Sequence, residues 1–407
     1  MSAPTVAAGR IMALDALRMA GVLAVVALHA GVAYGTAVPW WYVTDPARTR
    51  LMDFVLALAD GFPMPLLFAV AGYFACPSLE RRGPAGFVAG KARRLLVPLV
   101  GLTLFYCPVI AYVDFLDKGG TGGFFARWLA LLPSLADWRF QYFSATQATS
   151  ATRDMVWSYH LWFLPVLFLF CLALAAARRV AGSGLDRPAR AGGPGWGRFG
   201  LLALGVGLAA GVGQLCWPDA AWGRLGPFLA FQPARLPQYA GFFLLGIVAW
   251  RRGWFVASGV PGRSWVWGLG AVVFFVFMVV SRIATLGASP GVDGLLLVHG
   301  LARTGFALAV MGLLAVALAR TGARSLWRRP GVAQASFALY LLHFPLVIVL
   351  QYVLVGTGLP LAAKFAVCFL VPVTVCLGLG RLLGRWRGFL VPVLAATTFG
   401  LSLMVWP

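Results

Sequence analysis

Apolar residues run in long, unbroken stretches along this 407-residue chain, without the strict alternation of half-buried strands. Stretches of about 17 to 25 residues, the length that crosses a hydrocarbon core as α-helix, lie at 11–34, 51–75, 95–115, 158–177, 199–215, 236–250, 265–286, 294–319, 334–355, 361–380 and 388–406. In hydrocarbon the backbone can bond only to itself, so a spanning chain is helical or a closed barrel. Barrel strands would show as alternating units of about ten residues, and these runs do not alternate. The pattern predicts an all-α polytopic transmembrane helical bundle of ten or eleven helices. The run at 236–250 is short, and that at 388–406 is the weakest. No internal repeat or boundary divides the chain, which reads as a single membrane domain over 1–407. The sizeable segment between runs is 116–156, with Trp138, Phe140, Tyr142 and a Ser/Thr-rich stretch. It is too small for a catalytic domain and suits an extracytoplasmic loop lying as a lid over an external site.

Composition supports the same class. With 61% hydrophobic and 11% charged residues, the chain has too little polar surface to cover a soluble globule. A net charge of +21 would suggest nucleic acid in a soluble protein, but here the charge is sorted by loop. If the N-terminus is cytoplasmic, the basic residues at 10, 81–94, 178–198, 251–263, 320–329 and 381–387 share one side. Asp45, Asp114, Asp117, Asp137, Asp154, Asp219 and Asp293 fall on the other. That is the positive-inside arrangement, so the expected partner is the lipid bilayer of a bacterial inner membrane and not nucleic acid. The first run resembles a signal sequence, but it contains Asp15 and Arg18 and is about twice the length of a typical apolar signal core; it reads as a retained helix. The six cysteines sit mostly inside apolar runs and show no Cys/His ligand spacing, so no metal site is expected.

Ionisable groups at membrane depth are costly and usually face a cavity or a partner. In the first run, LDALRMAGVLAVVALHAG, Arg18 and His29 are about three helical turns apart, which puts them on one face roughly 16 Å apart along the axis. The plain alternative is that Arg18 snorkels or pairs with Asp15. His160 opens the fourth run, His299 and Arg303 are spaced i, i+4 in the eighth, and His343 lies deeper, near mid-membrane in the ninth. Histidines at similar depth could line a single cavity together with Arg303; interface anchoring for His160 and a structural bridge for His299 with Arg303 are the competing accounts. On the inner side, FVAGKARRLLVP places Lys91, Arg93 and Arg94 at the start of the third run. Such a cluster is topogenic, and it is also suited to phosphate.

Five segments in this order, LDALRMAGVLAVVALHA, FPMPLLFAVAGYFACPS followed by KARRLLVP, SYHLWFLPVL, LPQYAGFFLLGIVAWRRGW and SFALYLLHFPLV, resemble the integral-membrane acyltransferase family 3. Within it they look most like the branch with the glucan succinyltransferases of periplasmic glucan biosynthesis. The similarity covers about 10 to 355. It implies transfer of an acyl group, acetyl or succinyl, from acyl-CoA to a hydroxyl of an extracytoplasmic carbohydrate, glucan or lipid-linked sugar. The family's first-helix arginine and histidine map onto Arg18 and His29, and its basic motif onto Lys91 to Arg94. Where relatives often carry a serine before the Gly-Tyr pair this chain has Ala71, and where they often carry a histidine it has Pro63.

On this reading Lys91, Arg93, Arg94 and Arg18 hold the CoA donor, with no tightly bound cofactor. His29 is the general base, because imidazole titrates near working pH and can return the proton, and Arg303 stabilises the developing oxyanion. Tyr73 and Trp162 are candidate pocket walls; His160, His299 and Asp15 are further candidates for the substrate site, and His343 could meet the donor's pantetheine arm. Two other classes compete: a transporter or flippase of a glycolipid or small anion, which also needs midplane polar residues, and a scaffold without chemistry.

Overall fold

The computed structural model describes residues 12–38, 41–144, 147, 152–182, 196–254, 263–285, 294–320 and 332–383. Its helices are α1 (Met12–Val32), α2 (Arg50–Gly61), α3 (Pro63–Phe105), α4 (Pro108–Asp117), α5 (Phe124–Leu131), α6 (Phe163–Ala181), α7 (Trp196–Cys216), α8 (Leu236–Arg251), α9 (Ser264–Ala284), α10 (Gly294–Arg320), α11 (Val332–Leu354) and α12 (Leu361–Leu383). Eight stretches of the described residues are long and apolar enough to cross a membrane. One of them covers 50–117, and α3 within it breaks at Gly83, where φ is +65°. Glycine adopts that left-handed value without steric cost, and Pro84 follows. Each half of α3 has about twenty residues, enough for its own pass. Helix α8, at 16 residues, is shorter than these spans. The run at 388–406 lies outside the described residues.

Prolines explain where helix ends depart from the apolar runs. The run at 51–75 divides after Gly61 because Pro63 opens α3, and the run at 95–115 divides at Pro108, which opens α4. Proline suits a first helical turn, where its missing N–H would have had no partner.

Helix α1 is central, packed against α2, α3, α11 and α12. Helices α3 and α8 meet backbone to backbone: a methyl group on Gly72 would collide with the Phe243 carbonyl oxygen, and one on Gly246 with that of Ala69. Small residues at helix crossings are how membrane bundles gain van der Waals contact when lipid is as apolar as the protein. Helix α9 is peripheral, with Met278 and Ser281 its buried residues, while Trp265, Val272, Phe277 and Ile283 are exposed, as suits a lipid-facing helix. None of the six cysteines is in a disulfide, and five are buried; Cys216 departs from the expected burial and is exposed.

The 116–156 segment is more structured than a lid-like loop. It holds α5, a short 3-10 turn and strand β1 (Phe140–Phe143). Strand β1 pairs antiparallel with β2 (Trp222–Leu225), and β2 pairs with β3 (Leu229–Phe231). Gln141 stands opposite Arg224 in this register, and the Arg224 guanidinium donates to the Gln141 side chain at 2.7 Å. Strand β3 packs against α6 and the turn before it, so two loops close together over the entrance to α6.

Candidate active site

Three histidines meet where α1, α11 and the 3-10 turn Tyr159–Trp162 converge. His29 Nδ1 lies 2.9 Å from His343 Nε2, with the two rings within 8° of parallel. The His160 ring stands nearly perpendicular to that of His343, with centroids 5.2 Å apart. Phe344 and Trp41 wall the group, their rings 4.4 Å and 6.1 Å from that of His29. His343 is wholly buried and His160 nearly so, while His29 is partly exposed.

Local chemistry explains why these side chains meet. Pro345 has no N–H, so within α11 the carbonyl of Leu341, four residues earlier, loses its helical partner. His160 Nε2 donates to that carbonyl at 3.0 Å, and the Tyr340 hydroxyl donates back to the His160 carbonyl at 2.5 Å. Gln351 ties α11 to α1 by donating to the His29 carbonyl at 2.8 Å, and it accepts from Trp41 Nε1 at 3.0 Å. Tyr159, just before His160, has φ of +43°. A tyrosine there costs on the order of 1 kcal/mol or more, and such strain tends to persist at functional sites.

At the other end of α1, Arg18 reaches Asp15 at 3.5 Å and lies over the Phe74 ring. Lys91 lies over Phe87 and Arg94 over Phe337. Lys91 is within electrostatic reach of Arg18, Arg82 and Arg94, so cations from α1 and α3 form one group.

A second buried polar cluster lies elsewhere. Arg235, just before α8, donates to Asp219 through Nε (2.9 Å) and Nη2 (2.8 Å) and to Asp60 through Nη1 (2.9 Å). Arg303 of α10 donates to Asp60 at 2.8 Å and to Asp219 at 3.4 Å. His299 Nδ1 sits 3.1 Å from the Ser281 hydroxyl on α9. Two carboxylates and two guanidiniums thus neutralise one another across α2, the α7–β2 loop, the start of α8, and α10.

The model of the acyltransferase 3 family, described as an acyltransferase domain, matches residues 11–381. The chain belongs to that family. It is an acyltransferase enzyme, and its helices are those of a multi-pass membrane protein. No curated protein and no solved structure matches it.

Within this acyltransferase the candidate residues fall into separate contact groups: the three histidines, the cations of α1 and α3 with Asp15, and the cluster that holds Arg303. His29, His160 and His343 come together, and Trp162, in the same turn as His160, packs its ring against Trp222, Tyr239 and Phe68. His343 is not set apart from His29: its Nε2 lies 2.9 Å from His29 Nδ1. Arg303 belongs to the Asp60, Asp219 and Arg235 cluster, where the carboxylates offset the cost of burying its guanidinium, and His299, one turn before it on α10, meets the Ser281 hydroxyl. The Arg303 guanidinium is paired there with Asp60 and Asp219. Tyr73 is buried where α3 meets α8, and Asp15 serves Arg18, as the plain reading had it. Sequence inspection missed Asp60, Arg235 and the depth of Asp219. Arg235 in QPARLPQYAGFF, just ahead of an apolar run, was the available signal for a buried ion pair.

Proposed function

We propose that the enzyme transfers an acetyl or succinyl group from cytoplasmic acyl-CoA to a hydroxyl of an extracytoplasmic carbohydrate, a glucan or a lipid-linked sugar, with His29 as general base. The observation that carries this is the division of α1. Arg18 joins the inner cations at one end, and about 16 Å along the same face His29 sits among three histidines. Lys91, Arg93, Arg94 and Arg18 would meet the donor's phosphates, where close cations match the charge. His29 takes the hydroxyl proton as the oxygen attacks the thioester carbonyl; the C–O bond forms, the C–S bond breaks, and the proton passes to the departing thiolate. His160 and Trp162 would flank the acceptor. Mass spectrometry of surface polysaccharides and lipids from deletion and complemented strains tests the reading. Deletion should remove the mass of one acyl group from one acceptor class and complementation should restore it; unchanged masses would overturn the acceptor assignment.

The same reading puts the protein in the inner membrane as one domain, with its N-terminus in the cytoplasm and 116–156 outside, supported by the sorting of charge. Thr121 and Arg179 are exposed near helix ends and fall on opposite sides in this frame. In a cysteine-free background, an impermeant thiol reagent should label Thr121→Cys in intact cells and leave Arg179→Cys unlabelled until the membrane is opened. Labelling of Arg179→Cys in intact cells would invert the frame.

A further inference from the structure

Both nitrogens of the buried His343 ring are committed to partners within the protein. Nδ1 faces the carbonyl oxygens of Leu339 and Tyr340, each at 2.9 Å. A carbonyl oxygen only accepts, so Nδ1 must carry the proton. In a neutral imidazole one nitrogen donates and the other accepts, which leaves Nε2 with the lone pair. The atom 2.9 Å from that lone pair is His29 Nδ1, and it must therefore be the donor. The proton of neutral His29 is thereby fixed on Nδ1, and its remaining lone pair is on Nε2.

We infer that His343 is a positioning residue: by accepting from His29 Nδ1–H it fixes the tautomer of His29 and makes Nε2 the atom that takes the acceptor's hydroxyl proton. The assignment rests on the general-base reading of His29 for its purpose, though not for its geometry. It also separates the three histidines. His343 is wholly buried, and both of its nitrogens are occupied. His160 has donated its N–H to the Leu341 carbonyl and is nearly wholly buried. His29 alone of the three is partly exposed, and its unshared nitrogen is the basic one. When Nε2 takes the proton, the imidazolium still donates through Nδ1 to His343, so the partner that orients the base also stabilises its charged form. A base oriented through its other ring nitrogen is the same logic by which an aspartate serves the histidine of a serine protease; here the orienting acceptor is a neutral imidazole, held by carbonyls of its own helix.

Two measurements test this. In ¹⁵N-histidine-labelled enzyme in lipid nanodiscs, the chain has four histidines, so His29 can be assigned by the signals lost in a His29→Ala variant. The neutral His29 ring should show a protonated Nδ1 and an unprotonated Nε2; a protonated Nε2 overturns the proposal. In kinetics, His343→Met removes the acceptor and His343→Gln supplies one at similar reach. The Met variant should lose about 100-fold in kcat with acyl-CoA affinity within about twofold, and the Gln variant should recover about tenfold of that loss. Equal losses in two folded variants overturn the proposal. If the Met variant does not fold, the wild-type spectrum decides alone. Failure of the base reading is separately visible: His29→Ala would retain transfer while the wild-type spectrum still showed Nδ1–H.

Discussion

His29→Ala is expected to abolish acyl transfer while acyl-CoA still binds, with kcat falling by about 10²- to 10⁴-fold and the dissociation constant for CoA unchanged. The separation follows from where the two ends of α1 lie. His29 touches His343 and the aromatic walls and is proposed to move a proton only during reaction, so its loss appears in turnover. Arg18 is at the other end, beside Asp15 and Phe74. Arg18→Ala should weaken CoA binding by about 10- to 100-fold, the worth of one hydrogen bond to a charged group. Arg18→Lys should restore part of that if charge alone matters, and little if a bidentate fork is used. Titration of purified, detergent-solubilised variants with CoA, beside turnover measured on the same samples, makes the comparison. Thermal unfolding first establishes that each variant is folded. Near-normal transfer by His29→Ala would end the general-base assignment.

The helices were legible because the bilayer demands them: a run of about twenty apolar residues has few other solutions. What the runs could not show was where proline cuts them. The starts at Pro63 and Pro108 are turn chemistry laid over an unbroken hydropathy signal, whereas the break at Gly83 falls in the basic stretch between two runs. The short sheet was invisible for another reason. Strands of three or four residues carry almost no period-two pattern, and β1 finds its partner 83 residues away. Of the candidate site, the pairing of polar groups along α1 could be read from helical spacing, since Arg18 and His29 share one element. Spacing within single runs did not group His343 with His29, or Arg303 with Asp60 and Asp219, because which residues face one another depends on which helices adjoin. Which helices adjoin is set by packing, through contacts such as Gly72 on the Phe243 carbonyl, and no spacing within a single run reports that.

Asp219→Ala should be the most destabilising single change, by about 3–5 kcal/mol, because it leaves a buried guanidinium short of its counter-charge. Arg235 makes two of its three carboxylate bonds to Asp219, and Arg303 makes a longer one; in the alanine variant two cations would share Asp60. Removing Arg235 as well leaves one cation and one carboxylate, so the double variant Asp219→Ala/Arg235→Ala should be less destabilised than the sum of the two single changes. The pH dependence has a definite sign. Burial alone would push the Asp219 carboxyl up, but Arg235 and Arg303 outweigh it and hold the group well below the usual carboxylate range. A depressed folded-state value means the ion pair contributes its full stability above about pH 4, the unfolded value, and loses it only as pH falls through the lower folded value. Wild-type melting temperature should therefore show no loss from this group near neutral pH and should drop only in strong acid, while the Asp219→Ala protein should lack that acid step. Arg303→Ala completes the test. If it melts well below wild type, the cluster is the joint between α2 and α10 that its geometry indicates. If it melts like wild type yet turns over far more slowly with unchanged CoA affinity, Arg303 acts in the chemistry.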